Sequence, residues 1–194
     1  MQLDATFSPD AVLFNGNSRV RFNGAITPDY TIMSTMSLSF TGAYPRWIAE
    51  PGFPTVYFHT STGLPLKNYA VAFNLTTYGG VSTYDTTFNT YATSFVPPEN
   101  MRFHIAIRHQ EAVGKVELFI NGIKVGETTA VVPDGRNESN AYLGGRNSGA
   151  TRFLSGEISN FMRYDRVLTD GEIAQNALVD SMRFINSSPT SQIT

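Results

Sequence analysis

Cysteine is absent from the chain, which excludes disulfides, thiol catalysis and thiolate metal sites and leaves the redox compartment undetermined. Charge is sparse: Asp, Glu, Lys and Arg make up 15% of the residues, and the net charge is −2. So weakly charged a chain has no general electrostatic drive toward nucleic acid or an anionic membrane. Long apolar runs are missing as well. None approaches the ~20 residues that a spanning helix needs, and MQLDATFSPDAV at the start has neither the basic nor the apolar region of a signal peptide. Histidine is limited to His59, His104 and His109. His104 and His109 stand five apart on one expected strand, so they point to opposite faces and cannot share a metal. A soluble protein is the expectation, with residues 1–185 as one domain and 186–194 as a polar tail, because the length suits one good core and no mid-chain linker divides it.

What the chain does have is short-period alternation. Val116, Leu118 and Ile120 alternate with Glu117 and Phe119, the pattern of a half-buried strand. Asn121-Gly122 follows, a pair that tolerates the positive φ angles of a two-residue type I′ turn. Alternation resumes at Ile123 and Val125. A two-residue loop pairs Ile120 with Ile123 and Leu118 with Val125, which puts the apolar residues on one face.

Other strands are expected at Tyr30–Phe40, Thr55–His59, Tyr69–Leu75, Phe103–His109, Ala141–Gly144 and Glu157–Tyr164, with two short ones around Asn15-Gly16. Met1–Asp10 reads as an arm or first edge strand. Tyr44–Pro54, with two prolines and the only Trp, reads as irregular, and Thr76–Val96 as two strands with a loop near Thr86–Asn89. One helix is expected: Thr169-Asp-Gly-Glu172 fits a capping box, and Ile173, Ala177, Leu178, Met182 and Ile185 share a helical face. Many short strands and almost no helix imply an all-β, antiparallel β-sandwich or jelly roll.

The ordered pieces resemble a known family. Leu13-Phe14-Asn15-Gly16 is similar to the opening strand of laminin G-like, concanavalin A-like lectin domains, and His104-Ile105-Ala106 to their HVA strand. Val116–Gly122 is similar to their hairpin, and Phe153–Ile158 with Tyr164–Ile173 to their closing strand and helix. The resemblance covers residues 11–178 and implies two antiparallel sheets packed face to face with a short C-terminal helix. It departs in that Arg102-Phe103 stand where the family usually has Trp, and Asn23–Asn100 match only by strand pattern. Ligand sites in the family generally lie in that half and in the loops.

Some folds of this kind are glucanases, and glycoside hydrolysis needs two carboxylates ~5 Å or ~6.5–9.5 Å apart. The Glu-x-Asp-x-Glu run of laminarinase-type enzymes is absent, while Glu157 and Glu172 are accounted for by a strand start and a helix cap. No enzyme is expected. Calcium occurs in rim loops of relatives, but Asp85, Asp134, Asn137 and Glu138 make no dense acidic loop, so no cofactor is expected. Sugar stacking needs exposed aromatic faces, for which Tyr44, Trp47, Tyr57, Tyr78, Tyr84 and Tyr91 are candidates against plain core packing. Arg46 beside Trp47, and the loop residues Arg136, Arg146 and Arg152, are candidates for partner contact against ordinary solvated charge.

The abundance of Thr, Ser, Asn and Gly resembles bacteriophage virion proteins, which use such jelly rolls as capsid decoration proteins and tail adhesins. That resemblance implies a non-catalytic virion surface protein. Such a protein would dock by its sheet edges, tail or arm on capsid or tail protein, or on itself as a homo-oligomer, and would contact host glycans. The alternative is a carbohydrate-binding lectin module, with or without calcium.

Overall fold

The computed structural model describes residues 6–7, 10–16, 18–22, 29–39, 46–49, 54–60, 69–75, 100–129, 141–144 and 154–184. Among them, two antiparallel sheets form. The larger contains β1 (Thr6–Phe7), β2 (Val12–Asn15), β12 (Ser155–Tyr164), β4 (Tyr30–Leu38), β8 (Phe103–Gln110), β9 (Lys115–Ile120) and β10 (Ile123–Thr129), in that spatial order. The smaller runs β3 (Val20–Phe22), β11 (Ala141–Leu143), β5 (Arg46–Ala49), β6 (Pro54–Thr60) and β7 (Tyr69–Leu75). The expected antiparallel sandwich with one C-terminal helix is therefore observed, and β1 is an edge strand as expected. No helix among the described residues is long and apolar enough to cross a membrane.

Period-2 alternation builds the core. Tyr30, Ile32, Met36 and Leu38 of β4 join Phe103, Ile105 and Ile107 of β8, Val116, Leu118 and Ile120 of β9, and Leu143 of β11 in one buried cluster. The other face of the larger sheet is covered too. There Met33, Ala106 and Phe119 meet Leu168 and Ile173. Strand β9 is thus buried on both faces from Val116 to Ile120, which corrects the half-buried expectation. Alternation shows which residues share a face, but not that a helix lies over the second face.

The Asn121-Gly122 turn forms with φ of 49° and 80°, as a type I′ turn requires. Ile123 opposes Ile120 as expected, but Leu118 opposes Gly126 and not Val125. A bulge between Lys124 and Gly126 inserts one residue, so Val125 still packs inward while Ile123, beside the turn, is 69% exposed. Asn15-Gly16 does turn, with Gly16 at φ 85°, yet its flanking strands enter different sheets. The expected irregular stretch at Tyr44–Pro54 contains β5, a strand made possible by pairing on both sides with β6 and β11. Thr76–Val96 and the tail at 186–194 lie outside the described residues.

Helix α1 (Asp170–Phe184) starts with the expected capping box: Thr169 Oγ1 accepts the Glu172 N–H at 3.2 Å, and Glu172 Oε2 accepts the Thr169 N–H at 2.7 Å. Its buried stripe is Ile173, Ala177, Asp180 and Phe184, so the expected face is corrected. Leu178 and Met182 are exposed, and Ile185 lies outside the described residues. The stripe is rotated because the helix is anchored against the hairpin turn. A Cβ on Gly122 would stand 2.8 Å from Ala174 Cα, so only glycine permits this approach.

Candidate functional site

Between β8 and α1 lies a cleft of about 340 Å³. Its polar wall holds Thr35, Arg102, His104 and Asp180, and its apolar wall Ala177 and Leu178. The positions follow from strand register and helix phase. Thr35 and His104 are direct partners across β4 and β8, and Asp180 falls seven residues after Ile173 on the buried stripe.

Asp180 is fixed by two neutral donors. Thr35 Oγ1 donates to its Oδ2 at 2.7 Å and Asn160 Nδ2 at 2.6 Å. His104 is 4% exposed, and its Nε2 stands 3.9 Å from Asp180 Oδ2, too far for a hydrogen bond. Neither ring nitrogen of His104 has a hydrogen-bond partner among the described residues. Burial pushes the His104 pKa down to about 4, outweighing the opposing pull of Asp180, so the ring is neutral at pH 7. Both histidines of β8 are buried. Their placement on opposite faces is as expected: His109 stacks on Tyr30, with ring centroids 5.1 Å apart.

Arg102, at the cleft edge, is already engaged. Its Nε donates to Glu157 Oε1 at 2.6 Å and its Nη1 to the Phe184 carbonyl at 2.9 Å. Further along β8, Arg108 donates through Nε to Glu117 Oε2 at 2.6 Å and through Nη1 to the Leu168 carbonyl at 2.7 Å. It also pairs with Asp170.

Glu117 and Glu172 do not fit the acid role in glycoside hydrolysis. A glycosidase needs a carboxyl with a raised pKa to protonate the leaving group. Burial acts to raise that of Glu117, but hydrogen bonds from Arg108 and Lys115 together with their charges bring it down to about 2. Hydrogen bonds from Arg166 and Thr169 hold Glu172 at about 2 as well. Among the described residues no three His, Asp or Glu side chains cluster to hold a metal.

Among the described residues, none of the sequence's candidate contact residues lines this cleft. Tyr44, Tyr78, Tyr84, Tyr91, Arg136, Arg146 and Arg152 lie outside the described residues, as do Asp85, Asp134, Asn137 and Glu138. Arg46 and Trp47 are in β5 and Tyr57 in β6, where Arg46 and Tyr57 are register partners; these strands are described by their backbone. Sequence reasoning passed over Asp180. The available signal was a carboxylate seven residues after Ile173 on an otherwise apolar helical stripe, a place where charge is rarely left without purpose.

Residues 23–174 match a profile described as the concanavalin A-like lectin/glucanases superfamily. Among solved structures, the fold is similar to a heptameric SAP-like pentraxin from Limulus polyphemus, at 12% identity and TM-score 0.62, covering 86% of this chain and 81% of that one. It is also similar to domain 4 of AbnA, an extracellular arabinanase from Geobacillus stearothermophilus in complex with arabinotriose. There the identity is 18% and the TM-score 0.63, with 91% and 82% of the two chains covered. The Ruminococcus gnavus IT-sialidase CBM40 bound to alpha2,3 sialyllactose is similar at 14% identity and TM-score 0.62, over 87% of this chain and 96% of that one. At these identities the likeness concerns the fold. No curated protein sequence matches.

Proposed function

We propose that this chain, which belongs to the concanavalin A-like lectin/glucanases superfamily, is a non-catalytic glycan-binding module. The observation that carries the reading is the pairing of Arg46 with Tyr57 across β5 and β6, with Trp47 next in sequence. Three of the sequence's candidate contacts thus come together on adjacent strands of the smaller sheet, while α1 packs on β8 and β10 of the larger one. Trp, Tyr and Arg are residue types that suit a sugar ring, by stacking and by bidentate hydrogen bonds. Similar folds holding arabinotriose and sialyllactose favour short oligosaccharides as ligands. A glycan array with sialylated and arabinose-containing oligosaccharides, run with and without calcium, tests this. Binding is expected, with Trp47→Ala and Tyr57→Ala each weakening it about tenfold or more. An array that stays blank in both conditions overturns it.

A second reading, assembly on a virion surface, is favoured by the exposed Leu178, Val179 and Met182 on α1, at 49%, 50% and 66%. Contiguous exposed apolar side chains suit docking on protein. Sedimentation with phage particles, or self-association lost in Met182→Lys, is the expected behaviour. A protein that stays monomeric and leaves particles bare overturns this reading.

A further inference from the structure

The cleft between β8 and α1 carries an imbalance of charge among the described residues. Three acidic side chains among the described residues are buried: Glu117, Glu157 and Asp180. Glu117 and Glu157 each have a guanidinium at 2.6 Å. Asp180 has none. Among the described residues its one ion-pair neighbour is His104 at 3.9 Å, and that ring is neutral at pH 7. A buried carboxylate served by neutral donors alone is costly to desolvate and gains from an incoming cation.

We propose that this cleft binds a primary ammonium group on a small apolar stem, seated against the Asp180 carboxylate beside the His104 ring. An ammonium offers three donors and no acceptor. Here it meets the Asp180 carboxylate, whose Oδ2 takes both hydrogen bonds from Thr35 and Asn160 and whose Oδ1 takes none among the described residues. The His104 ring, with Nε2 3.9 Å from Oδ2, lies close enough to report an ammonium held at Oδ1. The stem meets Ala174, Ala177, Leu178 and Phe184 on the helix side. The volume of about 340 Å³ sits at the small end for ligand sites, which run from roughly 300 to 1,000 Å³. An anionic ligand is disfavoured, since Arg102 is taken by Glu157 and the Phe184 carbonyl while Asp180 repels negative charge. A neutral alcohol fills the space but leaves the carboxylate uncompensated. The inference lies on the opposite sheet from the glycan reading and stands or falls separately from it.

The test follows the imidazole carbon and proton resonances of His104 in the full chain during titration with n-butylammonium chloride, 1-butanol and sodium butyrate. Saturable shifts with n-butylammonium are expected, with 1-butanol about tenfold weaker or worse and butyrate silent. Leu178→Trp, which fills the cleft mouth from an exposed position, and Asp180→Asn should both abolish the response. The wild-type comparison needs no variant, so a misfolded Asp180→Asn does not blunt it. Equal shifts from butanol and butylammonium, or no shift from butylammonium up to tens of millimolar, overturn the proposal. So does a folded Asp180→Asn that responds like wild type.

Discussion

Asn121 and His104 hold each other by two reciprocal hydrogen bonds. The Asn121 N–H donates to the His104 carbonyl at 2.8 Å, and the His104 N–H donates to Asn121 Oδ1 at 2.9 Å. A residue chosen by turn chemistry, with φ of 49°, thereby also fixes the strand backbone that carries the cleft histidine.

Replacing that side chain separates the two roles. Asn121→Ala loses the bond to His104 and adds left-handed strain, for a cost of about 2–3 kcal/mol. Asn121→Gly loses the bond alone and should cost about 1 kcal/mol. Urea unfolding at neutral pH gives both values. Equal losses would show that φ strain at this position carries no weight.

Glu117 is tied to Arg108 at 2.6 Å in a buried setting, and also to Lys115 at 2.9 Å and Lys124 at 3.4 Å at the surface. Glu117→Leu strips Arg108 of its closest carboxylate and should destabilise the fold by roughly 3 kcal/mol. Lys124→Ala removes solvent-screened contacts to Glu117 and, at 3.0 Å, to Glu127, and should leave the melting temperature nearly unchanged. Thermal melts of the two variants decide whether the buried or the surface pair matters.

Acid weakens the fold in two windows. Burial lowers the His104 pKa from 6.5 to about 4, so below pH 6.5 the unfolded chain takes up a proton that the folded chain refuses until about pH 4. Stability from this group is complete above pH 6.5 and falls by about 3 kcal/mol on the way to pH 4. Glu117, displaced from 4.5 to about 2, adds a loss between those values. Denaturation midpoints measured from pH 7 to pH 4.5 should slope downward in wild type and flatten in His104→Gln.

At the start of α1, Thr169→Ala should cost about 1 kcal/mol by leaving the Glu172 N–H without its cap. Amide hydrogen exchange should accelerate in the first turn before it does near Phe184. Uniform acceleration along the helix would instead mean that the cap anchors the whole element.

The local elements were legible wherever a single period or turn dictated them. Tyr69–Leu75 and Phe103–His109 appear in the structure as read, because alternation needs only the strand's own residues. Trp47 was placed in an irregular stretch because Pro-rich flanks hide a strand that forms only when β6 and β11 supply its partners. Leu178 and Met182 share a helical face with Ile173 and Ala177 in the sequence yet are exposed, since a wide apolar stripe on one helix does not state which edge of it docks.

The sequence by itself determined the turn at Asn121-Gly122, the cap at Thr169, the inward set of β4 and β9, and the family resemblance, all of which depend on neighbours along the chain. Only the tertiary structure decided what faces what across it. The close approach of Ala174 to Gly122 rotates α1 so that Asp180, not Leu178, turns inward, and strand pairing brings Thr35 and His104 beneath it. Thr35 and Asp180 are 145 residues apart in sequence and 2.7 Å apart in space. No periodicity encodes such a distance, because it arises from the packing of two elements that each fold by their own local rules.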